Sequence, residues 1–350
     1  MDFNNYTPFA GIAWENINAK GEWSVSTVAR VKFEFEENRL LLASEQGTLF
    51  TSDEFYQEEG SSSIRYESDY VSFKKNTDLI INAHAWSPNG EALTSWDCGV
   101  RVYSEEKKLL KAYGLMVKAQ KKHLKAGPIW SSSFREKSTC VAIRYEKSKG
   151  GCIKIPAKNE DESDKYLYVN PYNPIGCGVK NIRDPEQTVF SPQVVYLKKP
   201  NHKAPAGFGF INRSWKSRTD LAGTYDEKWI ERQHPLPPYD FDIRYNQAAH
   251  PQLVMDGYLQ TPCTFELTNL REGKPVQSYN LPHLELLSRV RTHTGDIYQK
   301  MKLDTIIIDI DDKDMSKHCV YASYRASTPQ TQEVNAAEIM LIKNKEVSNG

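Results

Sequence analysis

The chain reads as a mainly β protein: antiparallel β-meander, sandwich-like or barrel-like sheets with a few short helices. Three observations carry this. Apolar residues recur with a period of two, as Val31, Phe33 and Phe35 do between Arg30, Lys32 and Glu34. Short runs of this kind are separated by turn residues, as at Pro88-Asn89-Gly90 and Arg271-Glu272-Gly273-Lys274-Pro275. Helical periodicity is confined to one short stretch near residue 228, and there are no heptads and no internal repeat.

Taken in order, the first strand around residues 28–35 turns at Glu37-Asn38 into Leu40-Leu41-Leu42. Residues 78–86 form an apolar strand that runs into Asn89-Gly90, which supplies the positive φ angles of a tight hairpin. The returning strand is expected to reach Tyr103, turn at Ser104-Glu105-Glu106-Lys107 and continue over residues 108–113, with a further strand at 139–145. Residues 147–192 are charged, small and punctuated by Pro156, Pro171, Pro174, Pro185 and Pro192, which reads as an irregular connection. Strand signals return at 264–270, 276–281, 288–293, 302–310 and 318–326, and residues 336–342 add an edge strand or a short helix. The expected organisation is an N-terminal β-rich lobe over 1–146, the connection over 147–192, a C-terminal β-rich lobe over 193–326 and a polar tail over 327–350.

Composition narrows function. Lys plus Arg and Asp plus Glu are 45 each, so the basic excess usual in nucleic-acid binders is missing. No apolar run approaches the ~20 residues of a membrane helix, and the N-terminus lacks the basic and apolar regions of a secretory signal. Six widely spaced cysteines without a C-x-x-C pair read as free thiols in a reducing compartment. No cofactor or metal is expected. Asp309, Asp311, Asp312 and Asp314 lack the glycine and the closing glutamate of a calcium loop and read as a solvated hairpin turn. His283-Leu284-Glu285 is half of a zinc-deaminase signature without its cysteine half. The lysines of 118–125 read as a solvated face.

The densest cluster of unusual residues is 205–246. Ala206-Gly207-Phe208-Gly209-Phe210 suggests close backbone approach, because Asn212 breaks the phosphate-loop pattern. Thr224-Tyr225-Asp226-Glu227 reads as a capping box opening a helix of about two turns that ends before Pro235, with Tyr225 and Trp229 one turn apart on one face. After Pro237-Pro238, the alternation of Tyr239, Phe241, Ile243 and Tyr245 with Asp240, Asp242 and Arg244 reads as extended chain. There Asp240 and Asp242 would stand ~6.6 Å apart, near the spacing of an inverting glycosidase pair. Neighbours on one strand face point the same way, however, and Arg244 is a ready ion-pair partner. A glycan hydrolase using Asp240 and Asp242, or a carbohydrate-binding β module, is therefore the alternative to a binding protein without catalytic residues.

A series of motifs runs along most of the chain. It opens with Asn5-Tyr6-Thr7-Pro8-Phe9, the strand over residues 28–35, the segment from Ser68 through Lys74-Lys75-Asn76-Thr77-Asp78, and Asn173-Pro174-Ile175-Gly176-Cys177-Gly178. Pro205-Ala206-Gly207-Phe208-Gly209, Trp215 and Arg218 follow, then the run from Ala222 to Trp229. Pro237 to Asp242, Arg244 to Ala249, Leu303-Asp304-Thr305-Ile306 and Tyr324-Arg325 complete the series. In order and spacing these motifs resemble a bacterial family, domain of unknown function 2169, described as type VI secretion accessory or adaptor proteins. Two departures are Cys177, where the family usually has a basic residue, and the lack of a glycine-rich run between 127 and 151. The resemblance implies a cytoplasmic, non-enzymatic adaptor or chaperone. It would bind a toxic effector, often one carrying a PAAR spike-tip domain, and promote its loading onto the VgrG spike. No catalytic residue is implied. The residues that either contact the partner or hold the fold are Trp215, Arg218, Tyr225, Trp229, Asp240, Phe241, Asp242 and Arg244.

Overall fold

A computed structural model describes residues 1–126, 130–155, 165–178, 190–199 and 202–344. The protein is mainly β, built around a twelve-stranded sheet curled into a half-barrel. Its order is Cys140–Ala142, Asp78–Trp86, Lys302–Ile310, Cys319–Pro329, Trp23–Glu36, Arg39–Leu42, Lys274–Leu281, Cys263–Arg271, Ser95–Ser104, Leu109–Lys118 and Val194–Tyr196, with Ala10–Ile17 paired as a branch onto Trp23–Glu36. Strands from before residue 146 and after residue 193 thus alternate in one sheet. Asp78–Trp86 runs parallel to Lys302–Ile310, and Trp23–Glu36 runs antiparallel to Cys319–Pro329. A four-stranded sheet joins Asp2–Tyr6, Val334–Asn344, Leu284–Thr292 and Gly295–Lys300. The inner face of the half-barrel carries Val31, Phe33, Ile81, Val102, Phe265, Ile308 and Val320 in one continuous apolar core. Among the described residues no helix is long and apolar enough to cross a membrane, and all six cysteines are free.

Several local expectations hold and others are corrected. The hairpins Trp23–Glu36 to Arg39–Leu42, Ser95–Ser104 to Leu109–Lys118 and Cys263–Arg271 to Lys274–Leu281 are present. Asn89 and Gly90 both have positive φ, as a tight turn requires, yet they do not close a hairpin. Asp78–Trp86 instead pairs with Lys302–Ile310 and Cys140–Ala142, because its apolar residues on both faces suit a central strand. The connection over 147–192 carries the strands Lys149–Ile155, Lys165–Asn170 and Cys177–Gly178; residues 156–164 and 179–189 of it lie outside the described residues. Val334–Asn344 is a central strand rather than an edge, with Ala337 and Ile339 fully buried. The face of the first strand that reads as solvated is covered at Arg30, which is buried, while Lys32 and Glu34 stay partly exposed.

The acids after Ile308 are likewise not a solvated turn. Asp309 is buried against Tyr66 and Arg65, and Asp311 accepts from Arg144 at 2.5 Å with His84 Nδ1 3.0 Å from its other oxygen. Asp312 and Asp314 do behave as turn residues, each accepting a backbone N–H two residues on.

Candidate functional site

The 205–246 stretch divides into a buried half and an exposed half. The buried half begins where Phe208 and Phe210 enter the core and the Phe208 carbonyl accepts from the Ile81 N–H at 3.0 Å. A Cβ on Gly207 would lie 2.4 Å from the Tyr145 ring, so only glycine fits there, as the close-approach reading expects. Tyr145 donates its hydroxyl to the Gly209 carbonyl at 2.9 Å and packs edge-on against Trp215. Asn173 of the Asn-Pro-x-Gly box is fully buried and donates its amide to the carbonyls of Tyr145 and Lys149. Two of the family-like motifs therefore meet on one tyrosine.

Several other motifs, those carrying Arg218, Arg244–Ala249, Leu303–Ile306 and Tyr324-Arg325, converge on the segment from Glu67 to Asp78. Arg218, 3% exposed, donates to Glu67 at 2.5 Å, to the Ile211 carbonyl at 3.0 Å and to the Tyr245 carbonyl at 2.8 Å. Arg30 pairs with Asp69, Lys74 with Asp78, and Arg325 with Asp304. Lys74 also donates to Thr305, and Arg325 donates to the carbonyls of Asp69 and Val71. Gln247 bridges Asp78 and the backbone of Lys75 and Asn76, while the Ala248 N–H donates to Asp78. These four cations and four acids neutralise one another within the protein, which is the condition under which buried charge is tolerated. Sequence reading missed Glu67, Asp69, Lys74 and Asp78 as partners, because Glu67 and Arg218 are 151 residues apart and nothing local marks the pairing.

The exposed half is an excursion over residues 221–242. Its base is closed by the Asp242 N–H donating to the Leu221 carbonyl at 2.9 Å, and by Thr224, whose N–H and hydroxyl both donate to Asp240. Gly223 has φ of +87°, and a Cβ there would lie 2.9 Å from the Asp240 carboxylate. The helix Glu227–Arg232 is capped by Asp226, which accepts from the Trp229 N–H at 2.9 Å. That corrects the expected capping box, since Thr224 is engaged by Asp240 instead. Tyr225 and Trp229 do share a face, with ring centroids 4.7 Å apart. The helix buries none of its residues. Tyr225, Ile230 and Tyr239 are 57%, 63% and 76% exposed. Gln233 ties the excursion to the scaffold through the Ala19 carbonyl at 2.6 Å.

Residues 239–245 are not extended. Asp242 caps the 3₁₀ turn Ile243–Asn246, accepting from the Arg244 N–H, and the Arg244 guanidinium pairs with it as anticipated. Phe241 and Tyr245 remain neighbours, 5.8 Å between centroids. The Thr224 N–H and hydroxyl hold the Asp240 carboxyl below its ordinary value, and Arg244 does the same for Asp242. A glycosidase general acid requires the opposite shift. Of the sequence-derived residues, Trp215 and Arg218 are buried within the scaffold. Tyr225, Trp229, Asp240, Phe241, Asp242 and Arg244 build or close the excursion. Ile230 and Tyr239 join them at the surface.

Deeper in the scaffold, His250 is fully buried beside Tyr113 and Tyr196. Its Nδ1 accepts from the Gln252 N–H at 3.1 Å, so the neutral ring carries its proton on Nε2 and donates to Tyr196. Burial and the neighbouring His202 push the His250 pKa down to about 3.

No curated protein and no solved structure matches the chain significantly. One family pattern matches residues 20–316, which is most of the chain. On that match the chain belongs to the family described as "Uncharacterized protein conserved in bacteria (DUF2169)".

Proposed function

We propose that the chain is a non-enzymatic cytoplasmic adaptor that holds a type VI secretion effector, a toxin of the PAAR-linked kind, and promotes its loading onto the VgrG spike. The order and spacing of the motifs set out above support the reading at the level of family resemblance. The observation that carries it is the 221–242 excursion: a capped helix with no buried residue, displaying Tyr225, Ile230 and Tyr239 beside Trp229 on a scaffold locked by internal ion pairs. Exposed aromatic clusters on rigid supports are characteristic of protein-binding surfaces, and Tyr and Trp are frequent anchors in them. A neighbouring toxin, with its spike protein, is the partner to test. Co-expression should give a stable complex with the wild-type chain. The Tyr225→Ser, Ile230→Ser, Tyr239→Ser triple variant should fold normally yet lose the complex, and deletion of the gene should stop export of that toxin. Absence of any complex together with undiminished export on deletion would defeat the reading.

A further inference from the structure

The two stems of the excursion flank a groove of about 390 Å³. Its walls include Ile211, Leu221, Ala249, Pro251 and Val254, and most of its exposed lining area is apolar. The volume is within the ~300–1,000 Å³ typical of ligand pockets and exceeds what one aliphatic side chain fills. The polar lining is Lys75, Asn76, Ser217, Arg218, Arg244 and Gln247. Arg218 is neutralised by Glu67, and Arg244 by Asp242 through Nε and Nη2. Lys75 is exposed and among the described residues makes no close ion pair, but its charge also acts on Asp242, so two cations, Arg244 and Lys75, share one acid and the groove edge keeps one net positive charge. The Ser217 hydroxyl, also in the lining, is shielded from solvent and without a hydrogen-bond partner.

A floor apolar by area with one net positive charge at its edge disfavours a polyphosphate, which needs several cations. It suits an apolar side chain adjoining a carboxylate. The floor would remove the apolar surface from water while the acid stays at the rim opposite Lys75. We propose that this groove binds a segment of a partner protein that presents one or two bulky apolar side chains followed by an acidic residue. The proposal deepens the adaptor reading by giving the recognised segment a chemistry. It is tested without an effector, so the two can fail separately.

The probe is a fluorescein-labelled synthetic peptide of two leucines followed by two aspartates, titrated with the full chain in fluorescence anisotropy. Controls replace the leucines by alanines or the aspartates by lysines. The leucine–aspartate peptide should bind saturably, and each control should bind at least tenfold more weakly. Lys75→Glu, at an exposed position, should reverse the charge preference. Ser217→Trp, which fills the groove, should weaken the leucine–aspartate peptide at least tenfold, with the melting temperatures of both variants measured alongside. No saturable binding of the leucine–aspartate peptide, or unchanged preference in Lys75→Glu, overturns the proposal whatever the adaptor experiments show. Saturable binding that Lys75→Glu reverses upholds it even if no toxin complex forms.

Discussion

Replacing Arg218 by methionine keeps most of the aliphatic stem and removes the guanidinium. Three acceptors then lose their donor: the Glu67 carboxylate and the Ile211 and Tyr245 carbonyls. The Glu67 side chain is 3% exposed, so its charge cannot turn to water. Its one remaining cation is Arg213, at 3.2 Å and 39% exposed, which is a weak substitute. Breaking a buried pair from one side costs about 3–5 kcal/mol, because the surviving charge keeps its desolvation penalty. That is a large share of a typical stability of about 5–15 kcal/mol. The Arg218→Met, Glu67→Gln double variant removes the stranded charge, so it should be at least about 1 kcal/mol more stable than Arg218→Met alone. Arg213→Met should cost no more than about 1 kcal/mol. Urea unfolding followed by tryptophan fluorescence measures these three variants, the wild type and the Glu67→Gln single variant that closes the cycle, with slopes expected to stay equal. A loss below about 1 kcal/mol in Arg218→Met, or simple additivity in the double variant, would refute the assignment of Arg218 as a structural pin.

Three further outcomes are expected. His250 is neutral when folded, with a pKa of about 3, and has an ordinary value near 6.5 when unfolded. Its contribution is therefore complete above pH 6.5 and is lost as pH falls from there toward 3, at up to about 1.4 kcal/mol per pH unit. His250→Asn should flatten stability between pH 6.5 and 4.5 relative to the wild type, and an unchanged slope would contradict the buried neutral ring. Gly207→Ala should lower the midpoint of urea unfolding, since its methyl would lie 2.4 Å from the Tyr145 ring; a neutral result would mean the ring yields. Replacing residues 223–240 by a short glycine–serine linker should leave the melting temperature within a few degrees, because the ends of the excursion already meet at Leu221 and Asp242. The toxin complex should then be lost.

The strands were legible where their signal was local. Alternation and turn glycines located the hairpins at 104–108 and 271–274 because register there is set by a few adjacent residues. The Asn89-Gly90 turn misled because backbone chirality specifies a bend but not which strand pairs next. The central position of Val334–Asn344 was hidden because its neighbour Asp2–Tyr6 comes from the other end of the chain. In the candidate site, Gly207 and the Arg244–Asp242 pair were readable from near neighbours. The Asp226 cap was misassigned because Thr224 had a competitor, Asp240, 16 residues away. The burial of Arg30 and Arg218 was invisible, since a charged residue in an alternating strand or a loop looks solvated until its distant acid is placed beside it.

The charge cluster around residues 67–78 also bears on how the chain reaches its fold. Arg30 awaits Asp69, Glu67 awaits Arg218, and Lys74 awaits Thr305 as well as Asp78. Any partly assembled sheet that closed over one of these groups before its counterpart arrived would trap an unmatched ion in a medium that solvates it poorly. Early partial structures are thereby penalised and late assembly is favoured in a single concerted step. Folding should consequently be slow for the chain's size, as long-range pairing already implies. A fragment ending before Arg218 would retain Glu67 without its principal counter-ion and would not settle into the native sheet.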